Sequence, residues 1–255
     1  MSRFETFLQL HQNAAPLLLG NIWDINSAKI FEASGYKAIG SSSHAVAKSL
    51  GYDDGEKLPF EILLKLAKKV VETVSIPFSV DMEGGYSRVT REIIWNIEKL
   101  HDAGVVGINL EDTIAGTTRQ WQPVAEFQRT LSAIAEHIGQ HRLNMFLNIR
   151  TDGFLLGRPT ALADTLTRVK AYENAGAHGI FVPCITGATD IETVVQATPL
   201  PINVMCMPEL PDFETLQSLG VKRISMGGFF LDKVYNTIGS LSKTIRHEKS
   251  FSAIL

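Results

Sequence analysis

An alternation of short β-rich runs with helix-length amphipathic segments, repeated eight times, constrains the fold of this chain more than any other feature. The runs are Leu17–Gly20, Tyr36–Gly40, Ile76–Val80, Val105–Leu110, Leu143–Asn148, Gly179–Val182, Pro201–Met205 and Lys222–Met226. Between them the pattern predicts helices at about residues 25–34, 59–74, 89–103, 123–139, 159–175, 187–197, 211–219 and 228–246. Pro59, Pro123 and Pro159 fall in first turns, where proline is tolerated. Gly35, Gly104, Gly176 and Gly220 each follow a predicted helix and precede a strand, as left-handed helix stops do. Eight such units in 255 residues, with no polar linker, predict one (β/α)8 TIM barrel domain of the α/β class over residues 1–255. An open doubly wound sheet is less attractive, because no Gly-rich dinucleotide turn follows the first strand.

Charge and composition narrow the partners. A net charge of −3 supplies no field for nucleic acid or an anionic membrane, so neither is expected. No apolar run is long enough to span a bilayer. The opening residues 1–10 carry Glu5 and lack a long apolar stretch, and read as an amphipathic helix, not a signal peptide. Cys184 and Cys206 match no zinc or redox spacing, which predicts a cytoplasmic, reduced protein without a structural disulfide.

In a barrel, function sits at the C-terminal strand ends. Polar residues gather there: Trp23 and Asp24, Ser41 to His44, Asp81 and Glu83, Asn109 with Glu111 and Asp112, then Asn148, Arg150 and Asp152. The period of two puts Asp81 with Glu83, Asn109 with Glu111 and Asn148 with Arg150 on three adjacent strands. Neighbouring carboxylates repel unless a cation compensates, and the cluster Asp81, Glu83, Glu111 suits Mg2+. In the plainer alternative Asp81 caps a helix and Glu83 is solvated. Gly84 and Gly85 let backbone approach a bound group. Arg150 offers a planar fork for a substrate carboxylate or phosphonate, or else an ion pair to Asp81 or Glu111. Ser42, with the backbone N–H groups of Ser43 and His44, is placed to hold a carboxylate oxygen. Such a site suits a 2-oxo acid, whose enolate a metal stabilises when a bond to C3 breaks. Both cysteines read as packing residues, His178 as a stabiliser of the barrel bottom, and Gly227-Gly228 as a tight turn or a phosphate cradle.

The ordered motifs Asn21–Asp24, Ser41–Ser43, Leu50–Gly55, Asp81–Tyr86, Gly107–Asp112, Asn148–Asp152, Gly179–Pro183 and Pro201–Asn203 resemble the isocitrate lyase/phosphoenolpyruvate mutase superfamily over most of the chain. The resemblance implies a Mg2+-dependent enzyme working on C–C or P–C bonds beside a 2-oxo acid, in homodimers or homotetramers that exchange helices. By position, Asp81 would ligate the metal directly, and Glu83, Glu111 and Asp54 would hold its waters. Arg150 would bind a distal anion, and Ser42, Ser43 and His44 the pyruvyl carboxylate. Trp23, Asp24, Asn148 and Asn203 would complete the substrate cavity. The segment Thr113–Pro123 departs from the family, having none of the cysteine, lysine or histidine that its lyase and mutase loops use. Gly116, Thr117, Thr118 and Arg119 still suffice for a short lid. The expectation is a Mg2+-dependent lyase cleaving a C–C bond, decarboxylation included, in a small 2-oxo acid or related dicarboxylate, with Arg150, Glu111, Asp54 and Arg119 catalytic. The alternatives are a P–C hydrolase or mutase acting on phosphonopyruvate, and a non-catalytic 2-oxo acid binder.

Overall fold

Each of the eight runs becomes a stave of one parallel sheet in the computed structural model, which describes residues 1–116 and 118–255. The first stave is broken at Leu19 into β1 (Leu17–Leu18) and β2 (Gly20–Ile22). The next are β3 (Ile39–Ser41), β4 (Phe78–Asp81) and β5 (Gly107–Glu111). A hairpin of β6 (Thr113–Ile114) and β7 (Gln120–Trp121) stands apart from the sheet. The remaining staves are β8 (Phe146–Arg150), β9 (Gly179–Phe181), β10 (Ile202–Met205) and β11 (Arg223–Ser225). The order β1-β11-β10-β9-β8-β5-β4-β3-β2 begins and ends on pieces of the same stave, so the nine strands form a nearly closed TIM-type barrel. Leu19 helps close it by donating its N–H to the Ile224 carbonyl at 2.8 Å.

Ten helices are present among the described residues. After α1 (Arg3–Gln12) come α2 (Ile25–Ala33), α3 (Ser43–Ser49), α4 (Phe60–Thr73), α5 (Thr90–Asp102), α6 (Val124–His141), α7 (Ala161–Asn174), α8 (Ala188–Gln196), α9 (Phe213–Ser218) and α10 (Phe229–Glu248). α4 shows why such segments lie on the sheet. Leu63, Leu64, Ala67 and Val70 recur every three or four residues and are all buried, each leucine contributing about 1.5–3 kcal/mol. Gly35, Gly104, Gly176 and Gly220 all have positive φ, from 87° to 96°, as the stop signals required. The prolines sit slightly earlier than expected: Pro59 and Pro123 are N-caps of α4 and α6, and Pro159 precedes the cap of α7.

α1 plugs the barrel bottom. Ser2 and Glu5 form a reciprocal capping box, and the helix drives Phe7 against Leu17, Leu19, Ala38, Val106 and Phe146. His11 stacks on Phe146 with centroids 4.4 Å apart. His178, at the same end, accepts the Leu147 N–H on Nδ1 at 3.0 Å, and burial lowers its pKa, which fits its expected stabilising role.

Candidate active site

Register builds the site from the bottom up. Asp81 pairs with Asn109, Asn109 with Asn148, and Glu111 with Arg150, so the polar residues of three staves stand level around one axis. Below lies a floor of amides. Asn148 Nδ2 donates to Asn109 Oδ1 (2.8 Å) and Asn203 Oδ1 (3.1 Å), and Asn203 Nδ2 donates to Ser225 Oγ (3.1 Å) and the Val204 carbonyl (2.7 Å). Asn148 and Asn203 are therefore committed to this floor and do not line the cavity, contrary to the direct substrate contact expected of them. Arg223 is buried just beneath, its Nη2 3.4 Å from Asn109 Oδ1, while Nε and Nη1 have no partner. Burial pulls it down to about 9, and Asp81 acts the other way.

Above the floor, Asp81 is held on one side only. Its Oδ2 accepts from Ser43 Oγ at 2.8 Å and from Ser43 N at 3.2 Å, and its Oδ1 is buried without a partner. Ser43 opens α3, with one residue between it and the end of β3, a short helix that the sequence pattern does not predict. Ser42 is its N-cap, accepting from Ala45 N at 3.3 Å. The Ser43 N–H thus serves Asp81 and is not free for a substrate carboxylate.

Glu83 was expected to alternate along the strand with Asp81, but β4 ends at Asp81. Glu83 instead enters from a left-handed position (φ 51°) and accepts the Glu56 N–H at 2.9 Å. Burial, with Asp54 and Asp81 nearby, pushes its carboxyl up to about 8. Burial also raises Glu111, against the pull of Arg150 and Arg119.

Glu111 and Asp152 face two arginines in a buried cluster of four charges. Asp152 Oδ1 accepts from Arg150 Nε at 2.6 Å. Its Oδ2 accepts from Arg150 Nη2 and Arg119 Nη1, both at 3.2 Å, and from Thr113 Oγ1 at 2.6 Å. Glu111 Oε1 pairs with Arg119, and Arg150 Nη1 contacts Glu111 Oε2 at 3.0 Å as an ion pair without hydrogen-bond alignment. The ion pair to Glu111, weighed in the sequence as the alternative for Arg150, is present.

The β6–β7 hairpin turns Arg119 inward over Glu111. The hairpin is anchored by Trp121, whose Nε1 donates to Asp112 Oδ1 at 3.1 Å while Arg168 lies 4.0 Å from its ring centroid. Asp112 is thereby turned away from the mouth, accepting from Arg168 (2.9 Å) and Tyr172 (2.7 Å). Of the expected lid, Thr117 lies outside the described residues.

Asp81, Arg119 and Arg150 border a cavity of about 530 Å³, while Glu83, Glu111 and Asp152 lie behind its lining. Ser42, Ser43, His44, Asp54, Asp81, Arg119 and Arg150 line it as expected. Trp23 and Asp24 do not: Asp24 caps α2 by accepting Ser27 N at 2.7 Å, and Trp23 packs near Phe230. Sequence reasoning missed Asn21, whose Oδ1 accepts from Met226 N (2.6 Å) and Gly227 N (3.2 Å), and Asp232 of α10, which bonds Lys48 at 2.5 Å. A Cβ on Gly227 would meet Met205 Sδ at 2.6 Å, and one on Gly228 would meet His44 Cδ2 at 2.4 Å. Side chains already fill the space that a phosphate cradle would need, which favours the turn. Burial raises the Cys184 thiol, consistent with a packing role.

No three His, Cys, Asp or Glu side chains among the described residues form a ready-made cage for a metal ion. The donors nonetheless fit Mg2+, which keeps several of its waters: one buried carboxylate oxygen is unpartnered, and Asp54, Glu83 and Glu111 lie near enough to act on one another electrostatically.

Residues 7–246 match a sequence model of the family described as phosphoenolpyruvate phosphomutase. A Burkholderia cenocepacia J2315 protein provisionally named a phosphonomutase has a crystal structure that superposes with a TM-score of 0.89. It is 33% identical and the match covers 94% of this chain and 99% of that one. An oxaloacetate decarboxylase of Rhodopseudomonas palustris (strain BisB18) is 29% identical over 219 residues, 82% of this chain and 72% of the relative. A phosphonopyruvate hydrolase crystallised with oxalate and Mg2+ shares the fold, with a TM-score of 0.86 at 19% identity over 100% of this chain and 90% of that one.

Proposed function

The chain belongs to the phosphoenolpyruvate phosphomutase family, and from that premise we propose that it is a Mg2+-dependent lyase. It cleaves a C–C bond, by decarboxylation or a related step, in a small 2-oxo acid. The observation that carries this reading is the half-held Asp81, with Oδ2 fixed by Ser43 and Oδ1 buried and unpartnered. Asp81 would hold the ion directly, with Asp54, Glu83 and Glu111 holding its waters. A hard divalent ion there supplies positive charge where negative charge builds on the substrate oxygen as the bond breaks. Ser43 orients Asp81, and Arg150 keeps N–H groups beyond those given to Asp152, with which it holds a substrate carboxylate. Arg119 closes over the mouth and excludes water from it.

The hairpin supplies no cysteine, lysine or histidine, so His44 is the histidine beside the cavity from which a proton would come. The same poverty of the hairpin favours a second reading, a protein that binds 2-oxo acids without turnover. A cytoplasmic location and assembly into dimers or tetramers through the exposed α10 complete the proposal; among the described residues no helix is long and apolar enough to cross a membrane.

The test follows pyruvate release by the Mg2+-loaded protein from oxaloacetate, 2-methylisocitrate, dimethylmalate and phosphonopyruvate, with calorimetry of oxalate. Turnover of a carbon acid is expected, and Asp81→Ala is expected to abolish Mg2+-dependent oxalate binding. Tight oxalate binding without pyruvate from any acid refutes the lyase, pyruvate from phosphonopyruvate alone makes it a P–C hydrolase, and unchanged Mg2+ affinity in Asp81→Ala refutes the metal site.

A further inference from the structure

Three non-glycine residues with left-handed backbone, Glu56 (φ 60°), Glu83 (φ 51°) and Tyr86 (φ 60°), are joined in one clasp. Residues with a Cβ adopt this conformation at a cost, and keep it where surrounding contacts fix it. Here those contacts run through Glu56. Its Oε1 accepts the Tyr86 N–H at 2.7 Å, its Oε2 accepts from Arg88 Nη2 at 2.5 Å, and its own N–H donates to Glu83 Oε2 at 2.9 Å. Gly84 leaves the space for this: a Cβ there would meet Arg88 Nη1 at 2.9 Å and Glu56 Oε1 at 3.1 Å. The clasp ties the segment after α3 to the turn after β4.

Three carboxylates proposed to hold the metal's waters are all attached to it. Asp54 lies two residues before Glu56, across Gly55 (φ 90°), so the docking of Glu56 decides where Asp54 stands. Glu83 takes the Glu56 N–H directly, and its backbone carbonyl accepts the Glu111 N–H at 2.8 Å. Glu56 itself does not line the cavity, and both of its carboxylate oxygens are committed, in a pair with Arg88 that carries no net charge. It therefore acts through its neighbours. We infer that Glu56 is a positioning residue for the metal cradle, its carboxylate latched on the Tyr86 N–H and Arg88 so that Asp54 and Glu83 are set in place together. The inference rests on the proposed Mg2+ site and deepens it.

Calorimetry of Mg2+ binding to the full chain tests it. Glu56→Ala leaves every carboxylate of the cradle in the chain but releases the latch, and is expected to weaken binding about 10–100-fold. Glu56→Gln, whose amide oxygen can still accept the Tyr86 N–H, should recover at least about threefold of that loss. Since Glu56 acts partly through Glu83, the alanine substitution should cost at least about threefold less in a Glu83→Gln background, which a side chain needed for the fold alone would not show. Mg2+ affinity within about twofold of the native chain in both Glu56 variants, or an equal loss in the two backgrounds, overturns the inference and leaves the metal site standing. A native chain that binds no Mg2+ overturns the metal site and the inference with it. If Glu56→Ala does not fold, Glu56→Gln and Arg88→Met decide: each is expected to weaken Mg2+ binding at least about threefold, and a loss below about twofold in both overturns the inference.

Discussion

Replacing Asp152 by asparagine removes one charge from the four-charge cluster beneath the lid without changing the size of the side chain. Asp152 is fully buried, accepts three hydrogen bonds from two arginines and a fourth from Thr113, and offsets half of the positive charge of Arg119 and Arg150. Asparagine keeps one acceptor oxygen but turns an NH2 toward a guanidinium, leaving a net positive charge in a buried place. Breaking a buried pair in this way costs about 3–5 kcal/mol, a large share of the roughly 5–15 kcal/mol that hold an ordinary domain together. Urea unfolding followed by circular dichroism measures it. The double variant Asp152→Asn/Arg119→Met restores neutrality and should recover at least about 1 kcal/mol relative to the sum of the singles. A loss below about 1 kcal/mol for Asp152→Asn, or strict additivity, would refute the picture of a closed neutral cluster that pins the hairpin.

Three further outcomes are expected. Burial, aided by Arg223, holds His11 down to about 3, so the unfolded chain takes up the proton first. The stability given by the neutral ring is complete above about pH 6.5 and is lost as pH falls toward 3, about 2 kcal/mol of it between pH 7 and pH 5. His11→Phe should show a correspondingly shallower decline in urea titrations at the two pH values, and an equal decline removes the assignment. Ser43→Ala, by freeing Asp81 Oδ2, should weaken Mg2+ binding roughly 10–100-fold in calorimetry; an unchanged affinity would show that Ser43 does not orient the ligand. α10 leaves Phe230, Tyr235 and Ile238 exposed, so light scattering should find a dimer or tetramer that Ile238→Asp reduces to smaller species, and a monomeric native chain rejects that role for the helix.

The barrel was legible because its signals are local. Alternating apolar runs and glycine stops are set by neighbours in the chain, and every predicted stave and helix is present within a few residues. Asp81, Glu111 and Arg150 were legible for the same reason, since strand period and register fix which end of a stave faces the mouth. What failed depended on where the backbone leaves regular structure. Glu83 arrives through a left-handed residue after the strand has ended, and Asp24 is drawn into a helix cap, a competing use of short polar side chains. Asn148 and Asn203 face inward as predicted but lie one layer too deep, a matter of height along the barrel axis that period two does not report. The apolar residues of the cavity lining, Phe181 and Met205 among them, had no signal distinguishing them from core, because such side chains look the same in sequence whether they face a cavity or a helix.

Charge gives the strongest physical reason to expect a divalent ion at this mouth. Asp54, Asp81, Glu83, Glu111 and Asp152 bring five carboxyls to it, against the three guanidiniums of Arg119, Arg150 and the deeper Arg223. Asp54 is exposed, so within the screened part of the site four carboxyls stand against three guanidiniums, an excess of one negative charge. Burial first, and the neighbouring Asp54 and Asp81 after it, push Glu83 up to about 8, and burial raises Glu111 against the pull of Arg150. An ion of charge two would relieve the excess more completely than protons, because it would act on all the carboxyls at once, and Asp81 Oδ1 is an oxygen that no protein group satisfies. The unpartnered N–H groups of Arg223 under the floor fit the same account: a salt link to that arginine would cancel the field it directs upward at Asp81. The protein's own positive charge thus lies below the cradle in Arg223, beside it in Arg150 and on the lid in Arg119, an arrangement that the proposed divalent ion would complete.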